Sequence, residues 1–344
     1  MLRLDNQKQI GQKLKNLFCI ITLLIHNNAY ADHASTKLET GSAGAIMTQS
    51  GSTLPKGKLV IGFGFQFLGL DEIPDARLEQ LGVANEDVHS TASLLNLTGI
   101  VAYGITDNFT VGLSLPYVER TDVREAHNDM GIGEAELAGD SKGLGDMTLF
   151  GQYRFFNRNK SHAALLAGVK TPTGDTDELE LEGARFETEQ QPGSGSWDPF
   201  IGLAIDKSWG IIGLSGNILY TIATKGTQDT DLGDTFNYNI ALSYRAFSPE
   251  GSHDHSSHVH GLNIIHYVDL VIELNGDSKE KAVIASHKEE HTGGQTLYLS
   301  PGMRIGAKHS WSVFASVGVP INNNINSEQS EPDYRIIGGI SKAF

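Results

Sequence analysis

The stretch LVIGFGFQFLG, residues 59–69, decides the fold of this chain. Its apolar side chains stand at every second position, at Leu59, Ile61, Phe63, Phe65 and Phe67. Because neighbouring side chains of a β-strand point to opposite faces, this order predicts one apolar face and one small or polar face. The pattern recurs along the chain and ends on the final residue, Phe344, so we expect the apolar faces to point outward into lipid.

Twelve such segments predict twelve strands. They cover approximately residues 58–69, 93–105, 108–119, 144–156, 161–173, 197–206, 209–223, 234–247, 262–275, 294–305, 310–321 and 333–344. Long and short connections alternate between them, as in bacterial outer-membrane barrels. We therefore predict an all-β fold, a transmembrane antiparallel up-and-down β-barrel of about 12 strands, of the bacterial outer-membrane type. A packed soluble β-sandwich is the alternative architecture.

The first 31 residues have the pattern of a secretory signal peptide. A basic region precedes an apolar core at residues 17–25, and Ala-Tyr-Ala at residues 29–31 is a small-residue cleavage site. The core is too short to span a bilayer, so we expect the segment to direct export and then be removed. The only cysteine, Cys19, lies within it, so a mature chain that begins at Asp32 has no thiol chemistry and no disulfide.

Charge and hydropathy narrow the class of protein. Without the leader's four basic residues and one acidic residue, the net charge moves from −15 to about −18. This surplus of acidic groups excludes nucleic-acid binding. A mean hydropathy of −0.21 argues against a helical membrane protein. A membrane barrel is compatible with that value, because half of each strand faces the lumen.

The residues 32–57 connect the leader to the barrel and are rich in Gly, Ser and Thr. Two interpretations stay open for this segment. It is either a disordered periplasmic lead-in or a partial plug folded into the barrel. The apolar residues Ala45, Ile46 and Met47 interrupt a polar stretch and favour partial insertion. The barrel itself is expected to span residues 58–344.

Several motifs resemble an outer-membrane family ascribed to the meta-pathway of phenol degradation, broadly a family of transporters. They are YGITDNFTVGLSLPYV (103–118), GLGDMTLFGQYRF (143–155), LAGVKTPTGD (166–175), GSGSWDPFIGLA (193–204), LSPGMRIG (299–306) and SVGVPI (316–321). The resemblance implies an outer-membrane barrel that passes small aromatic or hydrophobic compounds. It assigns no functional residue.

The predicted inward positions carry many polar and charged residues. They are Asp146, Gln152, Arg154, Lys170, Asn237, Asn239, Arg245, Asp269, Glu273, Arg304 and Arg335. In the narrow lumen of a small barrel, opposed carboxylates and guanidinium groups either brace the interior with salt bridges or set the charge preference of a selective conduit. Both interpretations make these residues the expected lining of the lumen.

The sequence SHDHSSHVH, residues 252–260, lies between the eighth and ninth predicted strands. Its four imidazoles, from His253, His255, His258 and His260, can converge on a divalent metal such as Zn²⁺, Cu²⁺ or Ni²⁺. The alternative is a flexible polar insertion without specific metal affinity. No other cofactor is expected.

Three functions compete with solute passage: metal binding at the histidine turn, lipid modification by a Ser/His enzyme, and a structural or adhesive role. No convincing catalytic set is found in the sequence, so no catalytic residue is assigned. We expect a non-enzymatic, integral outer-membrane protein that passes or binds a small solute. Its expected partners are membrane lipid, lipopolysaccharide, and the barrel-assembly machinery through the strand that ends in Phe344.

Removal of the four imidazoles tests the metal hypothesis. If they form a site, changing His253, His255, His258 and His260 to Ala lowers Zn²⁺ affinity by at least about tenfold, because the ligands are lost. Isothermal titration calorimetry of the refolded barrel measures the change, with His266→Ala as the control. Equal zinc binding with and without the four histidines contradicts the hypothesis.

Overall fold

The computed structural model describes residues 45–248 and 265–344, most of which belong to one long antiparallel sheet. In chain order its elements are β1 (Leu59–Asp71), α1 (Asp75–Val83), β2 (His89–Ser90), β3 (Ser93–Thr106), β4 (Phe109–Asp129), β5 (Ile132–Leu144), β6 (Thr148–Arg158), β7 (Ser161–Lys170), β8 (Asp198–Trp209), β9 (Ile212–Thr221), β10 (Thr230–Asp231), β11 (Thr235–Phe247), β12 (Ile265–Lys279), β13 (Val283–Ile284), β14 (His287–Lys288), β15 (Gly294–Ala307), β16 (Trp311–Ile325) and β17 (Glu331–Ala343).

Twelve of these strands form the barrel wall: β1, β3, β4, β6 to β9, β11, β12 and β15 to β17. Each pairs antiparallel with its neighbours, and β1 pairs with β17 from Val60 opposite Ala343 to Asp71 opposite Glu331. The backbone N–H of Phe344 donates to the carbonyl of Leu59 at 2.8 Å and continues this seam. Closure removes the sheet edges that lipid cannot hydrate, and the predicted barrel is confirmed.

The predicted strand positions agree with the observed ones inside the membrane and fail outside it. Residues 70–92, expected to be a loop, contain α1 and β2, and residues 120–143 form the long end of β4 and most of β5. These segments stand outside the membrane, so their sequences lack the alternation that lipid imposes. Instead α1 buries Leu78 and Leu81 in a small core with Ala126 and Ala135 of the β4–β5 hairpin.

One position of the wall is built from two strands. β6 pairs with β4 from Phe109 to Ser114, and β5 pairs with β4 from Tyr117 onward, so β5 and β6 share the same neighbour. The break between them lies at residues 145–147, opposite Pro116. Proline has no N–H for a sheet hydrogen bond, but its carbonyl accepts from the N–H of Gly145 at 2.9 Å.

The outward face of the barrel is apolar and has aromatic residues at both ends. Leu165, Leu203 and Ile218 stand side by side on β7, β8 and β9, and all three are exposed. Trp197 and Trp209 flank β8, and at about 3.3 Å per residue with a tilt of about 40° they lie about 30 Å apart along the barrel axis. This distance matches the hydrocarbon thickness of a bilayer. No helix among the described residues is long and apolar enough to cross a membrane.

The two ends of the barrel differ in the length of their connections. The short-turn end carries the chain's seam at Phe344 and tight connections such as Asn159–Lys160, where both residues have positive φ (53° and 56°) as type I′ hairpins require. The loop end carries α1, the β4–β5 hairpin, residues 171–197, and the small sheet of β10, β13 and β14. Short turns are periplasmic in bacterial barrels, so the loop end faces outward from the cell.

A charge on the lipid face tests the membrane position of the wall. We expect Leu203→Lys to lower the free energy of unfolding by about 2–4 kcal/mol, because an ammonium near the bilayer midplane is poorly solvated. Urea unfolding in lipid vesicles measures this loss. Ile132→Lys on the exposed β4–β5 hairpin is the control, with an expected loss of less than about 0.5 kcal/mol. Equal losses for both variants would place the midplane elsewhere.

Candidate functional site

Residues 45–54, the interior segment, lie against the inside of the barrel wall. The carboxylate of Glu273 on β12 accepts hydrogen bonds from three successive backbone N–H groups, those of Ile46, Met47 and Thr48, at 2.8–3.1 Å. Glu273 is only 1% exposed. Hydrogen bonds to a charged acceptor are about twice as strong as neutral ones, so one carboxylate fixes the start of the interior segment.

Other polar side chains of the wall bind the backbone of the same segment. Arg304 donates to the carbonyl of Ala45 at 2.7 Å. Gln152 donates to the carbonyls of Ser50 and Ser52 at 2.8 and 2.7 Å. The sequence placed Gln152 and Arg304 in the lumen as braces or selectivity groups, whereas here they satisfy backbone carbonyls that no sheet neighbour reaches.

Four of the predicted lumen residues take part in ion pairs along the wall. Arg245 on β11 forms a salt bridge with Asp269, its register partner on β12. Lys170 Nζ lies 2.6 Å from Asp198 Oδ2 on the neighbouring β8 and 3.6 Å from Asp146 Oδ2. The pairs of Arg245 and Lys170 connect neighbouring positions along the circumference of the barrel, whereas Arg335 on β17 lies 3.6 Å from Asp277 on β12, three strand positions away.

The remaining polar residues of β11 and β12 form a ladder of amides. Asn275 donates to Asn239 at 3.0 Å, and Arg335 on β17 donates to Asn275 at 3.0 Å. Asn237 donates to Asp277 at 2.8 Å. Shared amide and guanidinium donors of this kind satisfy the side-chain oxygens of Asn239 and Asn275.

Arg154 lies apart from this interior group. It stands at the short-turn end, where its guanidinium donates to the carbonyl of Asp107 and the side chain of Asn108 at 2.8 and 2.9 Å. The histidine turn at 252–260 lies outside the described residues, as do residues 1–44.

An inner cavity of about 200 Å³ lies within the barrel. Its apolar lining includes Ile100, Phe150, Leu166, Phe200 and Leu219. Lys170, which forms an ion pair with Asp198, also lines the cavity, as does Gln49 of the interior segment. The lining of the inner cavity is thus mainly apolar by surface, with polar side chains that include Asp146, Gln152 and Asp198.

An outer cavity of about 140 Å³ lies toward the loop end, and its lining is strongly acidic. The carboxylates are those of Asp87, Glu187, Glu189, Asp277 and Glu289. Arg120 and Lys279 supply its positive charges, together with the imidazoles of His89 and His291. The surplus of acid gives this cavity a negative potential.

His89 stands among three carboxylates of this outer region. Its Nε2 lies 3.2 Å from Glu125, 3.9 Å from Asp87 and 4.0 Å from Glu187. Burial lowers the pKa of His89, but the hydrogen bond to Glu125 and the negative charges around it raise that pKa to about 10. Burial, with the nearby acidic groups, raises the pKa of Glu187 to about 7 although His89 opposes it.

The same group has the composition of a metal site. One ligand atom each of Asp87, His89 and Glu187 lies within 4.8 Å of the other two. An imidazole with two carboxylates suits a divalent transition metal, but the imidazolium already neutralises part of this cluster. The four histidines of the sequence-predicted metal site do not contribute to it.

Sequence reasoning missed residues of both cavities, and Lys279 is the clearest case. The predicted ninth strand ended at residue 275, whereas β12 continues to Lys279. Had the alternation been followed further, Lys279 would have joined Glu273 and Asn275 on the inward face. The residues around His89 carried no alternation, so no sequence signal could have placed them together.

The geometry defines the class: a closed barrel with an apolar outer face and a polar, partly filled lumen is an integral protein of the bacterial outer membrane. The sequence matches the family described as "Putative MetA-pathway of phenol degradation" over residues 73–324, and the chain belongs to this family. The resemblance noted in the sequence motifs is therefore confirmed. No curated protein matches the sequence.

Three solved structures of outer-membrane proteins are similar to this chain, and the first of them supports the fold. The COG4313 outer membrane channel from Pseudomonas putida F1 is 14% identical, with a TM-score of 0.56 over 90% of this chain and 100% of that one. A Pseudomonas aeruginosa FadL homologue is 8% identical, with a TM-score of 0.41 over 85% and 90%. The CymD monoaromatic hydrocarbon channel is 12% identical, with a TM-score of 0.40 over 84% and 88%.

Loss of the Glu273 carboxylate tests its hold on the interior segment. We expect Glu273→Ala to leave the three amides of residues 46–48 without an acceptor, so that the segment leaves the wall and widens the path. Single-channel conductance in planar bilayers should then rise by at least about twofold. Glu119→Ala, at an outward position of β4, should leave the conductance unchanged. An unchanged conductance in Glu273→Ala would mean that other contacts hold the segment.

Proposed function

We propose that this protein binds and passes small, largely apolar solutes across the outer membrane. The inner cavity carries the proposal. Its lining of aliphatic and aromatic side chains, among them Ile100, Phe150 and Phe200, has no use in a water-filled porin, whose lumen is polar. An apolar chamber on the route through the lumen favours solutes that leave water readily.

The size of the chamber supports a small aromatic solute. Its volume is about 200 Å³, and an apolar cavity of about 150 Å³ is known to stay dry and to bind benzene. One substituted benzene ring therefore fits the inner cavity. The phenol-degradation description of the family points to the same chemistry.

The interior segment makes the path narrow, and we propose that residues 32–57 act as a partial plug. The support comes from the contacts of residues 46–48 with Glu273 and of Gln49 with Asn217, whose side-chain oxygen accepts from the Gln49 N–H at 2.8 Å. Gln49 also lines the inner cavity, so the segment forms part of the solute's surroundings.

A catalytic role is not part of the proposal. A serine, a histidine and an aspartate do meet near the interior segment: Ser52 Oγ lies 3.1 Å from His162 Nδ1, and Asp206 Oδ2 lies 2.7 Å from the same nitrogen. A nucleophile triad needs the serine and the acid on different imidazole nitrogens. Here both compete for Nδ1, so this arrangement supports a structural hydrogen-bond network.

The other proposed partners follow from the barrel's surroundings. We propose that the acidic loop end contacts lipopolysaccharide, with divalent cations bridging the like charges. We also propose that the C-terminal strand, with the exposed ring of Phe344, is the signal read by the barrel-assembly machinery. A divalent metal at the histidine turn stays a separate prediction, tested by the calorimetry described above.

Filling the inner cavity tests solute passage. We expect Ile100→Trp to lower the initial uptake rate of labelled toluene by intact Gram-negative cells at least about tenfold, because the indole occupies the chamber. Val101→Trp is the matched control: it is the next residue of β3, points outward, and should keep wild-type uptake. If both variants transport equally well, the solute route bypasses the inner cavity and the proposal fails.

A further inference from the structure

Lys279 occupies a position that no other residue shares: among the residues described, it alone lines both the inner and the outer cavity. It is the last residue of β12 and is 6% exposed. Gly294 on β15 and Thr235 on β11 are its register partners, so the wall holds its backbone on both sides. Lys279 therefore stands at the boundary between the two cavities.

The Lys279 ammonium has no ion-pair or hydrogen-bond partner within residues 45–248 and 265–344. The neighbouring interior cations differ in this respect. Lys170 and Arg245 contact the carboxylates of Asp198 and Asp269, and Arg335 Nη1 lies 3.6 Å from Asp277. Lys279 is therefore a largely buried residue whose ammonium keeps its hydrogen-bonding capacity for something in the cavities.

The chemistry of an ammonium limits what that partner is. A lysine head group offers three donors and no acceptor, so it binds oxygen atoms that accept hydrogen bonds. A hydrogen bond from a charged donor to an acceptor oxygen is stronger than one between neutral groups, so an acceptor oxygen on the solute is favoured at this ammonium. The apolar walls of the inner cavity take the rest of the solute.

We propose that Lys279 is the specificity-determining residue of the path and selects apolar solutes that carry an acceptor oxygen, with the ring in the inner cavity and the oxygen on the ammonium. This inference rests on the proposed passage of apolar solutes and narrows it to oxygenated ones. The oxygen belongs either to a neutral hydroxyl or to a carboxylate, and the acidic lining of the outer cavity disfavours the second.

Three probes with the same ring separate these cases: toluene without oxygen, benzyl alcohol with a neutral hydroxyl, and benzoate with a carboxylate. Isothermal titration calorimetry of the full refolded barrel measures their affinities. Wild-type protein should bind benzyl alcohol at least about tenfold more tightly than toluene, since a hydrogen bond to a charged group is worth about 1.5–3 kcal/mol. The affinity for benzoate shows whether a negative charge on the solute strengthens or weakens binding.

Lys279→Met keeps the length of the side chain and removes its charge and donors. It should abolish the preference for benzyl alcohol and change toluene affinity less than about twofold, which also shows that the variant is folded. Lys279→Arg should keep the preference, because it restores donors. Lys342→Met, whose ammonium lies beside Trp311 and Phe344 at the short-turn end, is the control and should match wild type.

The outcomes separate the two proposals. If wild-type protein binds none of the three probes, solute passage through the inner cavity is wrong. If it binds toluene and benzyl alcohol equally, or if Lys279→Met weakens all probes alike, passage stands and the role of Lys279 is overturned. A benzoate affinity above that of benzyl alcohol, lost in Lys279→Met, keeps the role of Lys279 and identifies the carboxylate as the preferred oxygen.

Discussion

The structure depends on one constraint: in hydrocarbon, a backbone N–H or C=O without a partner costs several kcal/mol. The chain meets it by closing the sheet, with β1 paired to β17 from Val60 to Asp71. Once the wall is closed, the pleat sends every second side chain into the lumen whatever its chemistry. Solvation by lipid makes the outer set apolar, and the inner set is then free to be polar. The polar character of the lumen therefore follows from the closure of the sheet, which pairs the backbone hydrogen-bonding groups.

A lumen filled with polar groups must in turn satisfy them. Neighbouring strands do part of this, as Arg245 with Asp269 and Asn275 with Asn239 demonstrate. The interior segment does another part, because its backbone supplies three N–H groups to Glu273 and a carbonyl to Arg304. Beside these polar groups, the wall also presents apolar side chains, and these supply most of the lining surface of the inner cavity. The same polar residues that hold the segment therefore define where an apolar solute can lodge.

The sequence predicted what the membrane imposes and little beyond it. All twelve wall strands were predicted because lipid enforces their alternation, whereas α1 and the β4–β5 hairpin stand in water and follow a different rule. Inward residues such as Glu273 were found by counting along a strand. Their partners were not, because Ile46 lies 227 positions away in the chain and only closure of the barrel brings the two together. Lys279 was missed because its strand runs beyond the predicted end.

The outer cavity has a surplus of carboxylates, whereas Lys279 at its boundary with the inner cavity is positive, and under the proposed function these charges bear on what the path accepts. The outer cavity is acidic and attracts cations, but the Lys279 ammonium lies at its inner boundary and repels them. An anion is first repelled by the carboxylates of the outer cavity and is then attracted by the Lys279 ammonium. Fields of this kind act over about 8 Å at physiological ionic strength, and less screening occurs inside a low-dielectric wall. Small cations are therefore repelled at Lys279, and small anions are repelled at the outer cavity. Under the proposed role of Lys279, a neutral molecule with an apolar ring and one acceptor oxygen meets neither barrier. The apolar wall of the inner cavity and the Lys279 ammonium at its entrance both favour such a molecule.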